Sequence, residues 1–173
     1  RQELVAWNRR VNLTAITEPA DIEQLHFLDS LTVALALPEP VRAGGRICDV
    51  GSGAGFPGIP LKVLFPDIRL TLIESRAKRT EFLVALVAEL GLEGVDVLTG
   101  RSEDLAHDTA LREGFDVVVS RGVAPLRVLA ELTLPFCAIG GVVVAQKKGA
   151  IAREVGQAAR AISLRMRSRS TGV

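Results

Sequence analysis

The chain has 173 residues, of which 48% are hydrophobic and 24% charged; that suits a single domain with a real core. No stretch of about 18 residues is apolar without a charge, which excludes a membrane-spanning helix. The net charge of +1 excludes a polybasic protein but not a one-sided basic face.

Two cysteines, Cys48 and Cys137, lie in apolar runs. They read as reduced thiols of a cytoplasmic protein, not as a disulfide frame. With two histidines besides, no metal site is expected. The opening RQELVAWNRR is polar and helical, without the apolar run of a signal peptide. Basic residues cluster at Arg9 and Arg10, at Arg76, Lys78 and Arg79, at Lys147 and Lys148, and from Arg153 through Arg160, Arg165, Arg167 and Arg169. With no tyrosine and one tryptophan, a stacking platform for single strands is not expected.

In chain order, residues 1–37 read as helices. LVAWNRRVN has helical spacing, and ADIEQLHFLDSLTVALAL is a long amphipathic stretch after Pro19. PEPVRAGG then breaks the pattern. RICDV is a short apolar strand, followed by the glycine-rich GSGAGFPG and a helix to about Phe65. RLTLIE is a second strand. Ser75 is placed to cap the next helix, which Gly91 stops. VDVLTG is a third strand, SEDLAH a short turn or helix, and FDVVVS a fourth strand. LRVLAELTLPFC reads as a helix, GGVVVAQKK as a fifth strand and AIAREVGQAARAI as a further helix. This alternation predicts an α/β fold with a mostly parallel sheet and helices on both faces.

In such sheets ligands bind beyond the carboxyl ends of the strands. That rule selects the Gly51–Gly58 loop, Glu74, Ser102 with Glu103, Ser120 with Arg121, and residues 146–148. Two ligands compete for the loop. A dinucleotide pattern falls on Gly53, Gly55 and Gly58, but it starts two residues after the strand ends at Val50. Pro57 also removes a backbone donor where a pyrophosphate needs one. The other pattern is Asp49, Gly51, Gly53, Gly55, and it suits S-adenosylmethionine. A nearby carboxylate favours that cation, and bare backbone can follow its methionine part. Glu74, 23 positions after Gly51, can accept both ribose hydroxyls, and Ser102 and Glu103 are placed for the adenine edge.

The acceptor is narrowed by what is missing. SRGVAP stands where amine methylases often carry Asp/Asn-Pro-Pro-aromatic. Cys48 sits inside a strand and Cys137 at the end of an apolar helix, so neither is placed as a nucleophile. An acceptor that is nucleophilic as it stands, such as an unprotonated ring nitrogen, remains.

WNRRVNLTAIT, HFLDSL, DVGSGAGFPGIPL, LIESRAKRTEFL, GRSEDL, FDVVVSRGVAPL and VAQKKG occur in this order, over nearly all of residues 5–150. Together they resemble the RsmG (GidB) family of bacterial 16S rRNA guanine-N7 methyltransferases. The resemblance implies a Rossmann-like class I methyltransferase fold, S-adenosylmethionine as donor and the small ribosomal subunit as partner. Family cofactor positions fall on Gly51, Phe56, Ser102, Glu103 and Arg121, with Glu74 and Ser75 near the ribose. Arg121 is the candidate for orienting cofactor or base, or for binding phosphate; its competing role is a salt bridge to Asp49 or Glu103 that shapes the loop. No general base is expected.

Lys147, Lys148, Arg9 and Arg10 are candidate RNA contacts. Asn12 and His26 stand in the N-terminal part that resembles the family; His26 reads either as a site residue or as a hydrogen-bonded structural one. The expected organisation is one methyltransferase domain, acting as a monomer: a helical cap over 1–40, a cofactor-binding core over 46–150 and a C-terminal helix and strand over 151–173. Methyltransferases of this class end with a sixth strand and an antiparallel seventh. SLRMRSRSTGV supplies one at most, so the chain reads as trimmed, or as lacking disordered segments, at both ends. A nucleotide-binding module in ribosome assembly and an NAD-dependent oxidoreductase are the competing functions.

Overall fold

The computed structural model describes residues 1–149 and 151–159. Five strands form one sheet: β1 (Arg46–Val50), β2 (Arg69–Glu74), β3 (Val95–Thr99), β4 (Phe115–Arg121) and β5 (Cys137–Gln146). Their order is β3-β2-β1-β4-β5, and every pairing is parallel. The chain therefore runs outward to β3, returns to the middle and runs outward again. The reversal lies between β1 and β4, where neighbouring loops leave the sheet in opposite directions and open a crevice.

Helices α1 (Gln2–Val11), α5 (Gly58–Leu64) and α6 (Ala77–Glu89) cover one face. Leu4, Leu61, Phe82 and Leu83 meet Ile47, Leu70, Leu72, Val117 and Val119 there. On the other face lie α7 (Ser102–Leu105) and α8 (Leu126–Thr133), where Leu105, Ala106 and Leu132 pack with Cys48, Val50, Ile73, Val118 and Phe136. Strands buried on both sides need apolar residues at successive positions, which is why VVV fits β4. The β4–β5 register shifts between Phe115 and Val117. Phe115 pairs with Cys137 and Val117 with Val142, so the extra residues lie in β5, and Phe115 and Val117 pack on opposite faces, although strict alternation would put them on one.

The segment before β1 is helical but not uniformly so. Residues 19–36 run through α2 (Pro19–Ile22), a π-helical stretch (Glu23–Leu28), α3 (Asp29–Leu31) and a 3₁₀ stretch (Thr32–Ala36), with α4 (Glu39–Arg42) after Pro38. Ile22, Val33 and Leu37 bury this segment against the first face of the sheet.

Two local expectations need correction. Arg76, not Ser75, is the cap residue of α6, and Ser75 Oγ reaches Glu74 Oε1 instead. Cys137 is not helical. α8 ends at Thr133: Leu134 keeps helical angles (φ −57°, ψ −34°), but Pro135 has no N–H to carry the helical ladder on, and β5 begins at Cys137. Residues 152–159 are helical, while Arg160, Arg165, Arg167, Arg169 and the expected C-terminal strand lie outside the described residues. Among the described residues no helix is long and apolar enough to cross a membrane.

Candidate functional site

A cavity of about 440 Å³ opens at the carboxyl ends of β1, β2 and β4, at the point where the strand order reverses. Gly51, Gly53, Phe56, Glu74, Ser75 and Arg121 line it together. Six predicted site residues thus meet in one place.

The glycine loop is folded on itself. The N–H groups of Gly51 and Ser52 donate to Ile73 O at 2.8 and 3.0 Å, and Gly55 and Phe56 donate to Ser52 O at 2.7 and 3.3 Å. Gly53 N–H donates to Glu74 Oε2 at 3.1 Å. Glu74 Oε1 in turn accepts from Arg76 N–H at 2.9 Å. One carboxylate therefore ties the loop after β1 to the loop after β2. Gly51 and Gly53 sit at φ +74° and +57°, where side chains are strained. A Cβ on Gly51 would strike Val123, whereas on Gly53 it would meet no atom nearer than 3.8 Å. Gly53 borders open space on the cavity side, and Gly51 is closed over by the loop after β4.

Asp49 is not on the cavity wall. It is fully buried beneath the loop, where Oδ2 accepts from Gly58 N–H at 2.9 Å and Oδ1 has no partner among the described residues. Burial pushes its carboxyl up to about 7, against the Gly58 N–H and the Arg121 charge, which lower it. Gly55 also faces inward, against Ile59 and Leu83. Ser102 and Glu103 open α7, with Ser102 Oγ 3.2 Å from Glu103 Oε2. They follow β3 as expected but do not border the cavity.

Arg121 forms no salt bridge with Asp49 or Glu103, the competing role for it. Its Nη1 pairs with Asp29 Oδ2 at 3.2 Å and donates to Leu25 O at 3.1 Å. Its Nη2 lies 3.0 Å from His26 Nδ1, and Cζ lies 5.1 Å from the Phe56 ring centre. Both thiols are out of reach of chemistry. Cys48 is buried within β1, where burial and then Asp49 push its thiol well up, and Cys137 is buried at the start of β5.

A family model described as rRNA small subunit methyltransferase G (GidB) matches residues 1–171. The chain belongs to that family. A curated relative named ribosomal RNA small subunit methyltransferase G, from Dehalococcoides mccartyi, is 51% identical over 161 residues, covering 93% of this chain and 67% of the relative. A relative of the same name from Streptococcus pyogenes serotype M1 is 45% identical over 166 residues, covering 94% and 68%. A solved SAM dependent methyltransferase from Aquifex aeolicus superposes with a TM-score of 0.62 at 19% identity, over 88% of this chain and 85% of that one. A precorrin-6y C5,15-methyltransferase from Geobacter metallireducens does so with 0.57 at 16% identity, over 79% and 69%. At such identities the likeness is one of fold, and it is the Rossmann-like methyltransferase fold.

The candidate RNA residues of this family member differ among themselves. Lys148, Arg9 and Arg10 are exposed, and the Arg10 guanidinium lies 4.9 Å from the Trp7 ring centre. Lys147 is committed elsewhere: Nζ donates to Ala124 O at 2.9 Å and pairs with Glu154 at 3.0 Å. Glu154 also accepts from Leu126 N–H at 3.1 Å. This cluster anchors the loop after β4. Residues that sequence patterns did not select also border the cavity, among them Thr14, Arg79 and Val123. Arg79 joins Glu74 at 3.7 Å to Asn12 O at 3.3 Å, so it links the site to the end of α1. Among the described residues no group of histidines, cysteines and acids could hold a metal ion.

The Asp49 carboxyl holds its proton more tightly when folded than at the ordinary value of 3.8. Its contribution to stability is fully present below that value and is lost as pH rises through about 7. Urea unfolding of the wild-type chain and of Asp49→Asn is expected to show it. Between about pH 5 and about pH 8 the wild type should lose stability relative to the variant. Parallel curves would mean that the carboxyl titrates as if exposed.

Proposed function

We propose that this chain is an S-adenosylmethionine-dependent methyltransferase that methylates N7 of one guanine in 16S rRNA of the small ribosomal subunit. The observation that carries the reading is the Glu74 carboxylate facing the cavity, with the loop donors turned inward. A pyrophosphate needs convergent backbone donors at a helix start. Here Pro57 and Pro60 have none, and Gly58 N–H is taken by Asp49. A cationic ligand with a ribose diol suits the same wall better. Glu74 Oε2 keeps lone-pair capacity for a hydroxyl beyond Gly53 N–H, and Oε1 gains it when the 3.4 Å contact from Ser75 Oγ turns to the ligand.

In this reading Gly53 leaves room for the methionine part and Gly51 borders it beneath Val123, Glu74 and Ser75 take the ribose, and Phe56 and Arg121 close the cap side. Ser102 and Glu103 would meet the adenine edge from the end of β3. Asp49 acts from beneath, by holding the loop and α5. Bound there, the cofactor supplies an electrophilic methyl group. The chain's own residues then have to orient the acceptor and exclude water. Guanine N7 is unprotonated near neutrality, so no side chain must take a proton from it. That agrees with two buried thiols and a histidine engaged through both ring nitrogens. Lys148, Arg9 and Arg10 offer exposed cations to the RNA backbone, and Lys147 acts through the loop it anchors. The reading places the activity in the cytoplasm, carried out by a monomer.

Mass mapping of 16S rRNA after incubation with labelled donor tests it. One 7-methylguanosine is expected, on naked RNA or on small subunits. A chain that binds S-adenosylhomocysteine but transfers no methyl group to either would be a binding module instead. NADH binding without S-adenosylhomocysteine binding would make it an oxidoreductase. Glu74→Ala is expected to weaken S-adenosylhomocysteine by about 1–3 kcal/mol in a calorimetric titration, through lost hydrogen bonds to a charged group. The single-turnover rate should be nearly flat from about pH 6.5 to about pH 9; a tenfold rise per pH unit would reveal a base.

A further inference from the structure

Thr14, His26, Phe56 and Arg121 meet on the cap side of the cavity. The imidazole of His26 stands between two polar groups. Arg121 Nη2 is 3.0 Å from Nδ1, and Thr14 Oγ1 is 2.8 Å from Nε2. A guanidinium has donors only, so Nδ1 must accept. The ring proton then sits on Nε2 and is donated to Thr14, whose Oγ1 also accepts from Ile16 N–H at 3.0 Å. The partners thus select one neutral tautomer. The ring also lies flat on Phe56, with centres 4.8 Å apart and planes 14° apart. Its backbone is the π-helical stretch, in which Asp29 N–H reaches back to Gln24 O. Such turns are frequent at functional sites. Here the turn also brings Leu25 O and the Asp29 carboxylate to the other arm of Arg121.

We propose that His26 is a positioning residue of the site: its imidazole, accepting at Nδ1 and donating at Nε2, holds Arg121 and Phe56 against the cavity and so sets cofactor affinity. The proposal rests on the reading that this cavity binds S-adenosylmethionine. A second proton on the ring would face the guanidinium with a donor and a like charge. Burial first, then Arg121 and Lys148, hold His26 below its ordinary 6.5, while Asp29 acts the other way. Asp49, Glu74 and Arg79 are the other charged groups bordering this network from β1, β2 and α6. Cofactor affinity should therefore fall in acid, as pH drops through the lowered value. Asp49, which titrates near 7, is removed from the comparison by working in Asp49→Asn.

The test combines ¹⁵N NMR of the imidazoles with calorimetry of S-adenosylhomocysteine. The chain has two histidines, and His107→Asn assigns the signals. Wild-type His26 is expected as the neutral Nε2–H tautomer, titrating below 6.5. His26→Ala should weaken S-adenosylhomocysteine about tenfold or more at neutral pH. His26→Gln, which can accept and donate across the same gap, should recover most of that affinity and lose the fall in acid. An Nδ1–H tautomer, a cationic ring at neutral pH, or wild-type affinity in His26→Ala would overturn the proposal. Equal losses in the Ala and Gln variants would do so as well, since they would mark mere bulk. Should His26→Ala not fold, the tautomer and titration of the wild-type ring decide. A wild-type chain that binds no S-adenosylhomocysteine at any pH refutes the reading of the cavity, and with it the proposal.

Discussion

The carboxylate of Glu74 accepts one backbone N–H from the loop after β1 and one from the loop after β2. These two loops belong to adjacent parallel strands, and nothing in a parallel ladder fixes where the chain goes once it leaves the sheet. Glu74 sets both exits at once. It is 5% exposed, so its bonds form in a setting where an unpaired charge would be costly. The side chain that shapes the cavity is thus also the acceptor best placed for a ligand inside it. Asp49 completes the arrangement from below. Its grip on Gly58 N–H keeps α5 close under the loop, and a Cβ at Gly58 would come within 2.8 Å of both Asp49 Oδ2 and Leu72 Cδ2.

Two arginines join this floor to the helices that precede β1. Arg79 connects Glu74 to the end of α1 through Asn12 O, and Arg121 connects the end of β4 to the π-helical turn. They border the same cavity. Arg121 spends its charge on Asp29 of the N-terminal helices, while Arg79 pairs with Glu74 and reaches those helices through Asn12 O. A guanidinium held by several fixed acceptors is already oriented, which lowers the entropic cost of using it for a ligand. On the far side, Lys147 and Glu154 hold the loop after β4 by backbone contacts at Ala124 and Leu126. That loop carries Val123, the residue packed over Gly51. The cavity is therefore framed from three sides by ionic contacts that no single element supplies.

Much of this was legible in the residues, for identifiable reasons. Strands buried on both faces advertise themselves as runs such as VVV, and glycines at a strand end mark the backbone that a ligand approaches. The position of Glu74 followed from counting strands. Other features depend on contacts distant in sequence. The Arg121–Asp29 pair spans 92 positions and joins a strand end to the helices before β1, whereas the strand-end rule brings only groups such as Asp49 and Glu103 near Arg121. The π-helical stretch is six residues long, too short for its period to stand out from the helix around it. LTLPFCAIGG is almost wholly apolar, and periodicity cannot separate helix from strand there; Pro135, with no N–H to continue a helix, does. Lys147 and Lys148 look alike as adjacent cations, yet one is tied to Ala124 and Glu154 and the other is exposed.

In the proposed function, the cavity framed by Glu74 and the glycine loop holds the methyl donor. Amide hydrogen exchange with and without saturating S-adenosylhomocysteine tests it most directly. Added protection is expected over residues 51–56 and 74–79, spreading to residues 13–28 through Arg79 and Arg121. Protection confined to other parts of the chain, with residues 51–56 and 74–79 unchanged, would contradict it.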